Sequence, residues 1–285
     1  MNGLRGARWI DLGRVAPIGF HATYAGLAEA QARDAAPMVV WGRVARHVCL
    51  GQSQGRCEIA EGLDVPVVRR PLGGGVVWVD EHQLSYALVA PLALAPRRPE
   101  QWYAWALAPA VATFAAFGLP VERHAEDLWL GGRKIAGSGA ATIGRCAVVA
   151  SSFLLRFPRD RFSACVAAPS PGFRRALRGA LDLALTDWAD HAAPPPERAL
   201  RAAFRAALRA TLGWAARPSR VRRAERAAVA SWHEELAAPI EHGRPRVAGG
   251  MKLNATLYLR QRSPGAPIEL APLSRASGRG VGGEG

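Results

Sequence analysis

Three consecutive glycines, Gly73, Gly74 and Gly75, stand between two β-branched runs and constrain this chain more than any other feature. The stretch is Val67-Val-Arg-Arg-Pro-Leu-Gly-Gly-Gly-Val-Val-Trp-Val-Asp80. Backbone without Cβ atoms can enter φ > 0 and approach a second backbone or a ligand closely. Successive N–H groups in such a turn form an anion-binding nest. Arg69 and Arg70, just before it, bring fork-shaped donors suited to phosphate or carboxylate. A plain Gly-rich hairpin turn is the alternative for the same residues. The segment is not a P-loop, because no Gly-Lys-Ser/Thr follows. It also lacks the later glycine that opens the helix of a dinucleotide fingerprint.

The second feature is a lysine. The 37 basic residues include only two lysines, Lys134 and Lys252, in a chain that otherwise takes its positive charge from arginine. An ammonium is a compact point charge, whereas guanidinium is a planar, permanently charged fork. Lys134 in Gly132-Arg-Lys-Ile-Ala-Gly137 therefore marks a position where guanidinium would not serve. Lys252 lies in a Gly/Arg-rich tail and is expected to be a bystander.

Apolar runs alternate with longer periodic segments. Strands are predicted around 38–41, 47–50, 65–68, 75–79, 84–89, 121–124, 127–130, 134–136 and 147–156, with one more at 252–259. Helices are predicted over 22–32, 99–117, 173–185, 197–212 and 219–236, the 99–117 helix closed by Gly118 and Pro120. Mixed strands with long helices imply α+β architecture, mixed sheets flanked by helices. No run of about 18 uncharged apolar residues predicts a membrane span, and Met1–Arg8 has no secretory core. A cytoplasmic location is expected.

The formal charge of +14 raises nucleic acid as a partner. The arginines fall at three- or four-residue spacing on Ala-rich helices, as on a solvated face, with no nucleic-acid-binding motif beside them. A basic rim equally suits an acidic protein partner. The four cysteines, 49, 57, 146 and 165, are no disulfide framework in a chain this long. Cys49 and Cys57 near His47 form a weak candidate metal site without a second pair.

Taken together, Arg69-Arg-Pro-Leu-Gly-Gly-Gly-Val-Val-Trp-Val-Asp80, Asp127-Leu128 and Gly132-Arg-Lys-Ile-Ala-Gly-Ser138 resemble the lipoate–protein ligase A family. That family belongs to the biotin/lipoate ligase and octanoyltransferase superfamily. Val48-Cys-Leu-Gly-Gln-Ser-Gln54 is similar to its Val-x-x-Gly-x-x-Gln strand end, and the resemblance covers roughly residues 8 to 215. Leu72 stands where the family has Ser or Thr, Val79 where it often has His, Glu126 where it has Asn, and Ala150-Ser151 where it shows His-Gly. Gln83-Leu-Ser-Tyr86 is closer to the octanoyltransferase branch.

The resemblance implies a class II biotinyl/lipoyl-synthetase-like catalytic domain over 1–218, after which periodicity gives a short helix and strand segment over 219–262 and Gly/Arg-rich composition a disordered tail over 263–285. It implies activation of lipoate or octanoate with ATP and Mg²⁺ as acyl-AMP, then transfer to a lysine of a lipoyl-carrier domain, with or without a separate accessory ligase chain. Lys134 and Asp127 would be catalytic, Asp127 being also a candidate Mg²⁺ ligand. Arg69, Arg70, Gly73, Gly74, Gly75, Asp80, Gly137 and Ser138 would bind substrate and phosphate, and Leu72, Val77, Val79 and Ile135 would wall the acyl pocket. The alternatives are a carrier-protein-dependent acyltransferase using Cys165 or Cys146, and a catalytically silent binding relative.

Overall fold

The apolar runs assemble into one large sheet and two small ones. The computed structural model describes residues 4–33 and 35–272. The large sheet has eight strands in the order β11 (Trp214–Ser219), β1 (Arg5–Val15), β2 (Met38–Val44), β6 (Gln83–Pro91), β10 (Cys146–Leu154), β9 (Arg133–Ile143), β8 (Asp127–Leu130) and β7 (Glu122–His124). β1 runs parallel to both β11 and β2, and the remaining pairs are antiparallel. Every residue of β6 is buried, and from Tyr86 onward its sequence is a continuous apolar run without alternation.

Helices cover both faces. On one side α2 (Trp102–Ala116) and α5 (Glu197–Leu212) enclose an aromatic core of Trp41, Tyr86, Phe114, Phe153, Trp188 and Phe204. The Tyr86 and Phe204 rings lie 4.6 Å apart. α5 ends at Gly213, whose φ of 67° closes the helix in the left-handed region. On the other face lies α1 (Pro17–Glu29), crossed by α6 (Arg226–Ala237). Gly26 permits that crossing, since a Cβ there would come within 2.5 Å of the Val229 backbone.

A second layer holds the small sheet β4 (Val67–Arg69), β3 (His47–Leu50) and β5 (Val77–Val79). It shares a core with α3 (Arg159–Cys165) and α4 (Pro171–Ala184). The Ser170 hydroxyl accepts the Phe173 N–H at 3.1 Å, and Pro171 occupies the first turn, so α4 starts where sequence chemistry directs. A third sheet, β12 (Gly250–Lys252), β13 (Leu257–Gln261) and β14 (Ile268–Pro272), contributes Met251, Leu253 and Leu259 to that same core.

The α+β expectation holds, with these local corrections. β1 and β11 were not predicted, because both are partly exposed and interrupted by Gly, Arg or Pro. The predicted strand at 134–136 is an eleven-residue strand, β9, and the predicted helix over 219–236 begins only at Arg226. One predicted C-terminal strand is three. The tail predicted to be disordered from 263 contains β14, paired with β13, while residues 273–285 lie outside the described residues. No helix among the described residues is long and apolar enough to cross a membrane.

Candidate active site

The triple glycine is a place where three backbones meet. Gly74 has φ of 109°, and a Cβ there would stand 2.5 Å from the Arg70 guanidinium. Arg70 reaches back beneath the loop and donates to the carbonyls of Gly73 and Gly75, both at 3.0 Å. Across from it, a Cβ on Gly139 would lie 2.5 Å from the Gly73 carbonyl oxygen. Gly139→Ala is therefore expected to push backbone against backbone and destabilise the fold by about 1–3 kcal/mol. Gly179→Ala, on an open face of α4, is expected to stabilise by about 0.5–1 kcal/mol. Denaturant midpoints of the two variants, moving in opposite directions, check both.

Beside this loop β8 and β9 pair so that Asp127 faces Gly137, with a register shift one residue further on. The shift turns the Lys134 side chain back onto Asp127, and Nζ sits 2.8 Å from Oδ1. Asp127 is 2% exposed, and its Oδ2 accepts the Ala255 N–H at 2.9 Å. Gly137 leaves room for the ammonium, since a Cβ there would be 2.9 Å from Nζ. The Ser138 hydroxyl donates to the Glu126 carbonyl and the Ser151 hydroxyl to the Gly137 carbonyl at 2.9 Å, which ties β8, β9 and β10 together under the lysine.

These groups open onto an apolar cavity between the large sheet, the small sheet and the third sheet. Leu72, Val77, Val79 and Ile135 line it, as do Arg70, Gly74, Gly75, Asp127, Lys134, Gly137 and Ser138. Three predicted residues fall elsewhere. Arg69 is exposed at the end of β4. The Gly73 N–H is engaged by the Ala140 carbonyl at 3.3 Å. Asp80 is buried outside the cavity, accepting from the Trp78 indole at 2.7 Å and the His82 N–H at 2.9 Å, so it fastens the turn after β5. Arg70 departs from its predicted role too, because its fork holds the loop's own carbonyls.

Asp127 was a candidate magnesium ligand, but both its carboxylate oxygens are engaged, one by an ammonium and one by a backbone N–H. The neighbouring Glu126 is likewise paired, 2.8 Å from Lys252 Nζ. Two carboxylates already matched by two ammonium groups do not suit a protein-held divalent cation.

A profile of the lipoyl protein ligase A/B catalytic domain matches residues 25–196, more than half of the chain. The chain belongs to that family. No curated protein matches it by sequence. Among solved structures it is similar to one of the Thermoplasma acidophilum lipoylation system, described as a bi-partite lipoate protein ligase and its E2 lipoyl domain. Identity there is 17%, with 81% of this chain and 93% of that one covered and a TM-score of 0.73. A lipoate-protein ligase A bound with ATP is 17% identical over 82% of this chain and 95% of that one, at a TM-score of 0.68. LipL1 of P. falciparum in complex with lipoate is 12% identical over 89% and 80%, at 0.66. At these identities the likeness establishes a shared lipoate-ligase fold.

Several cavity residues of this family member are not among the substrate-binding residues read from the sequence. His21, on α1, and Cys49, on β3, form a polar end to the cavity. His21 Nε2 is 3.5 Å from Cys49 Sγ, and Nδ1 is 3.1 Å from the Tyr24 hydroxyl. His47 joins them, its Nε2 buried without a partner. Burial keeps both imidazoles neutral, pushing His47 down to about 4 and His21 well below its usual range, with the Arg70 charge adding to each. Burial also raises the Cys49 thiol. The grouping of Cys49, Cys57 and His47 weighed as a metal site does not form, because Cys57 is not in the cluster. The Arg70 guanidinium, 3.6 Å from Cys49 Sγ, opposes a second cation there. The segment that enters and leaves β12 adds Arg246, Met251, Lys252, Leu253 and Asn254, none of which the sequence motifs pointed to.

Proposed function

We propose that this chain is an ATP-dependent lipoate–protein ligase that activates lipoate or octanoate as acyl-AMP and transfers the acyl group to a lysine of a lipoyl-carrier domain. The observation that carries this reading is Lys134, an ammonium fixed by a buried carboxylate at the wall of an apolar cavity. A medium-chain acid fits such a cavity with its tail along Leu72, Val77, Val79 and Ile135 and its carboxylate toward the ammonium. The names of two structural neighbours, one bound with ATP and one with lipoate, favour the same pair of substrates.

In the first step a carboxylate oxygen attacks the α-phosphorus of ATP, forming the mixed anhydride and expelling pyrophosphate. Two anions must approach, and Lys134 offsets their repulsion while the Gly74–Gly75 backbone adds its dipoles. In the second step the neutral amine of the acceptor lysine attacks the carbonyl carbon. The developing oxyanion is held by Lys134, the acyl–oxygen bond breaks, AMP leaves with the electron pair, and the amine proton passes to solvent. Magnesium, carried in by ATP, would supply charge on the polyphosphate side.

The acyltransferase alternative needs a thiol facing the cavity beside Lys134. Cys165 is packed against the small-sheet core, and Cys146 is fully buried at the start of β10, where burial and then Glu29 push its thiol up to about 12. Neither lines the cavity, and Cys49, which does, has its thiol raised by burial. Mass spectrometry of a lipoyl-carrier domain incubated with the protein, lipoate and ATP tests the proposal. One added lipoyl group per domain, unchanged in Cys165→Ala, is expected. An unmodified domain, or an octanoyl adduct on Cys165 after incubation with octanoyl carrier protein, overturns it.

A further inference from the structure

Lys252 was expected to be a bystander in the tail, and the fold brings it to the cavity instead. The segment that carries it is fastened along its length. The Arg246 N–H donates to Glu58 Oε1 at 2.6 Å, the Asn254 amide donates to the Ala184 carbonyl at 3.3 Å, and the Ala255 N–H donates to Asp127 Oδ2 at 2.9 Å. The Asn254 side-chain oxygen accepts the Thr256 and Leu257 N–H groups at 2.9 Å, which shapes the turn between β12 and β13. Met251 and Leu253, flanking Lys252, are buried and wall the cavity. Lys252 lines it as well, with Nζ 2.8 Å from Glu126 Oε1.

Two adjacent carboxylates, Glu126 and Asp127, thus each hold one of the chain's two lysines, and all four side chains face one cavity. Burial alone would raise the Glu126 carboxyl, but the hydrogen bond and charge of Lys252, with Lys134 adding to them, keep it below its usual range. Asp127 fixes Lys134 through a side chain closed to solvent. The Lys252 pair is looser, with side chains 26% and 31% exposed, so its ammonium is free to turn from Glu126 to an incoming anion. A ligand with one anionic centre would need one cation here. A carboxylate and a polyphosphate, brought together, need two.

We propose that Lys252 is a substrate-binding residue, presented by the C-terminal sheet, that takes the phosphate oxygens of ATP and the acyl-adenylate while Lys134 serves the acyl carbonyl, Glu126 being its partner only until the anion arrives. This rests on the ligase reading above. Calorimetry with a non-hydrolysable acyl-sulfamoyl adenosine and with ATP tests it on wild type, Lys252→Met, Lys252→Arg and Glu126→Gln, each checked for an unchanged unfolding midpoint. Loss of a charge-assisted contact predicts about 10–100-fold weaker binding of both ligands to Lys252→Met, largely restored in Lys252→Arg. Glu126→Gln, which removes a competing and repelling carboxylate, is expected to bind several-fold more tightly. A merely structural ion pair would weaken Glu126→Gln as much as Lys252→Met, and that result, or Lys252→Met binding like wild type, overturns the inference. A wild type that binds neither ligand overturns the ligase reading and this inference with it. A wild type that binds both, with Lys252→Met unaffected, overturns the inference alone.

Discussion

Lys134→Arg is expected to stay folded while acyl-adenylate formation and transfer fall at least ~100-fold, the usual cost of losing a preorganised oxyanion donor. Charge and aliphatic stem survive the swap, and the pairing with Asp127 can be remade, so the unfolding midpoint should stay within about 0.5 kcal/mol of wild type. The space around the ammonium does not survive it. Gly137 makes room for the ammonium by lacking a Cβ, which would stand 2.9 Å from Nζ, and the wider guanidinium asks for more room at that point. It also spreads its charge over a plane and cannot aim one donor at both a carbonyl oxygen and a phosphate. Single-turnover rates of the two half-reactions check this. Wild-type rates in Lys134→Arg would remove the lysine from the chemistry.

Asp127→Ala is expected to lose both stability and activity. The carboxylate is 2% exposed and holds the Lys134 ammonium on one oxygen and the Ala255 N–H on the other. Breaking a fully buried pair costs about 3–5 kcal/mol. The Lys134 side chain is 21% exposed, so solvent takes up part of that loss and roughly 2–3 kcal/mol is expected here. Urea unfolding measures it. Activity should fall as far as in Lys134→Arg, because an unfixed ammonium no longer points at the reacting oxygen and the Ala255 turn loses its anchor. A loss of stability without a loss of rate would make Asp127 purely structural.

Much of this site is legible in the sequence because its parts are local. The glycine loop, Asp127 and Lys134 each sit in short segments whose residue types carry their own chemistry, and together they led to the family that the profile match confirms. Neighbouring letters misled where geometry decides. Arg69 and Arg70 look equivalent, yet one is exposed and the other is folded under the loop it precedes. Asp80 beside the glycines resembles a ligand and is a turn fastener. β9 looked short because Gly137 and Gly139 are poor strand formers, whereas in the fold both are small for the groups lying against them.

The remainder was not legible because it is assembled at long range. His21 and Cys49 come from a helix and a strand far apart in the chain, and only the fold brings their side chains within 3.5 Å of each other. Lys252 sits among glycines and arginines that suggest a solvated tail. Its place is set by backbone hydrogen bonds from residues 246 and 255 to Glu58 and Asp127, partners far away in the chain. Nothing in the periodicity of residues 246–257 announces those contacts.

The central claim is that Lys134 and its cavity activate a medium-chain acid at the α-phosphate of ATP. Exchange of labelled pyrophosphate into ATP measures that step alone, needing neither an acceptor domain nor a guess at its identity. Exchange that requires lipoate or octanoate and is at least ~100-fold slower in Lys134→Arg is the result expected of a preorganised donor. Exchange that stays at background with either acid, or that runs equally fast without one, would contradict the account.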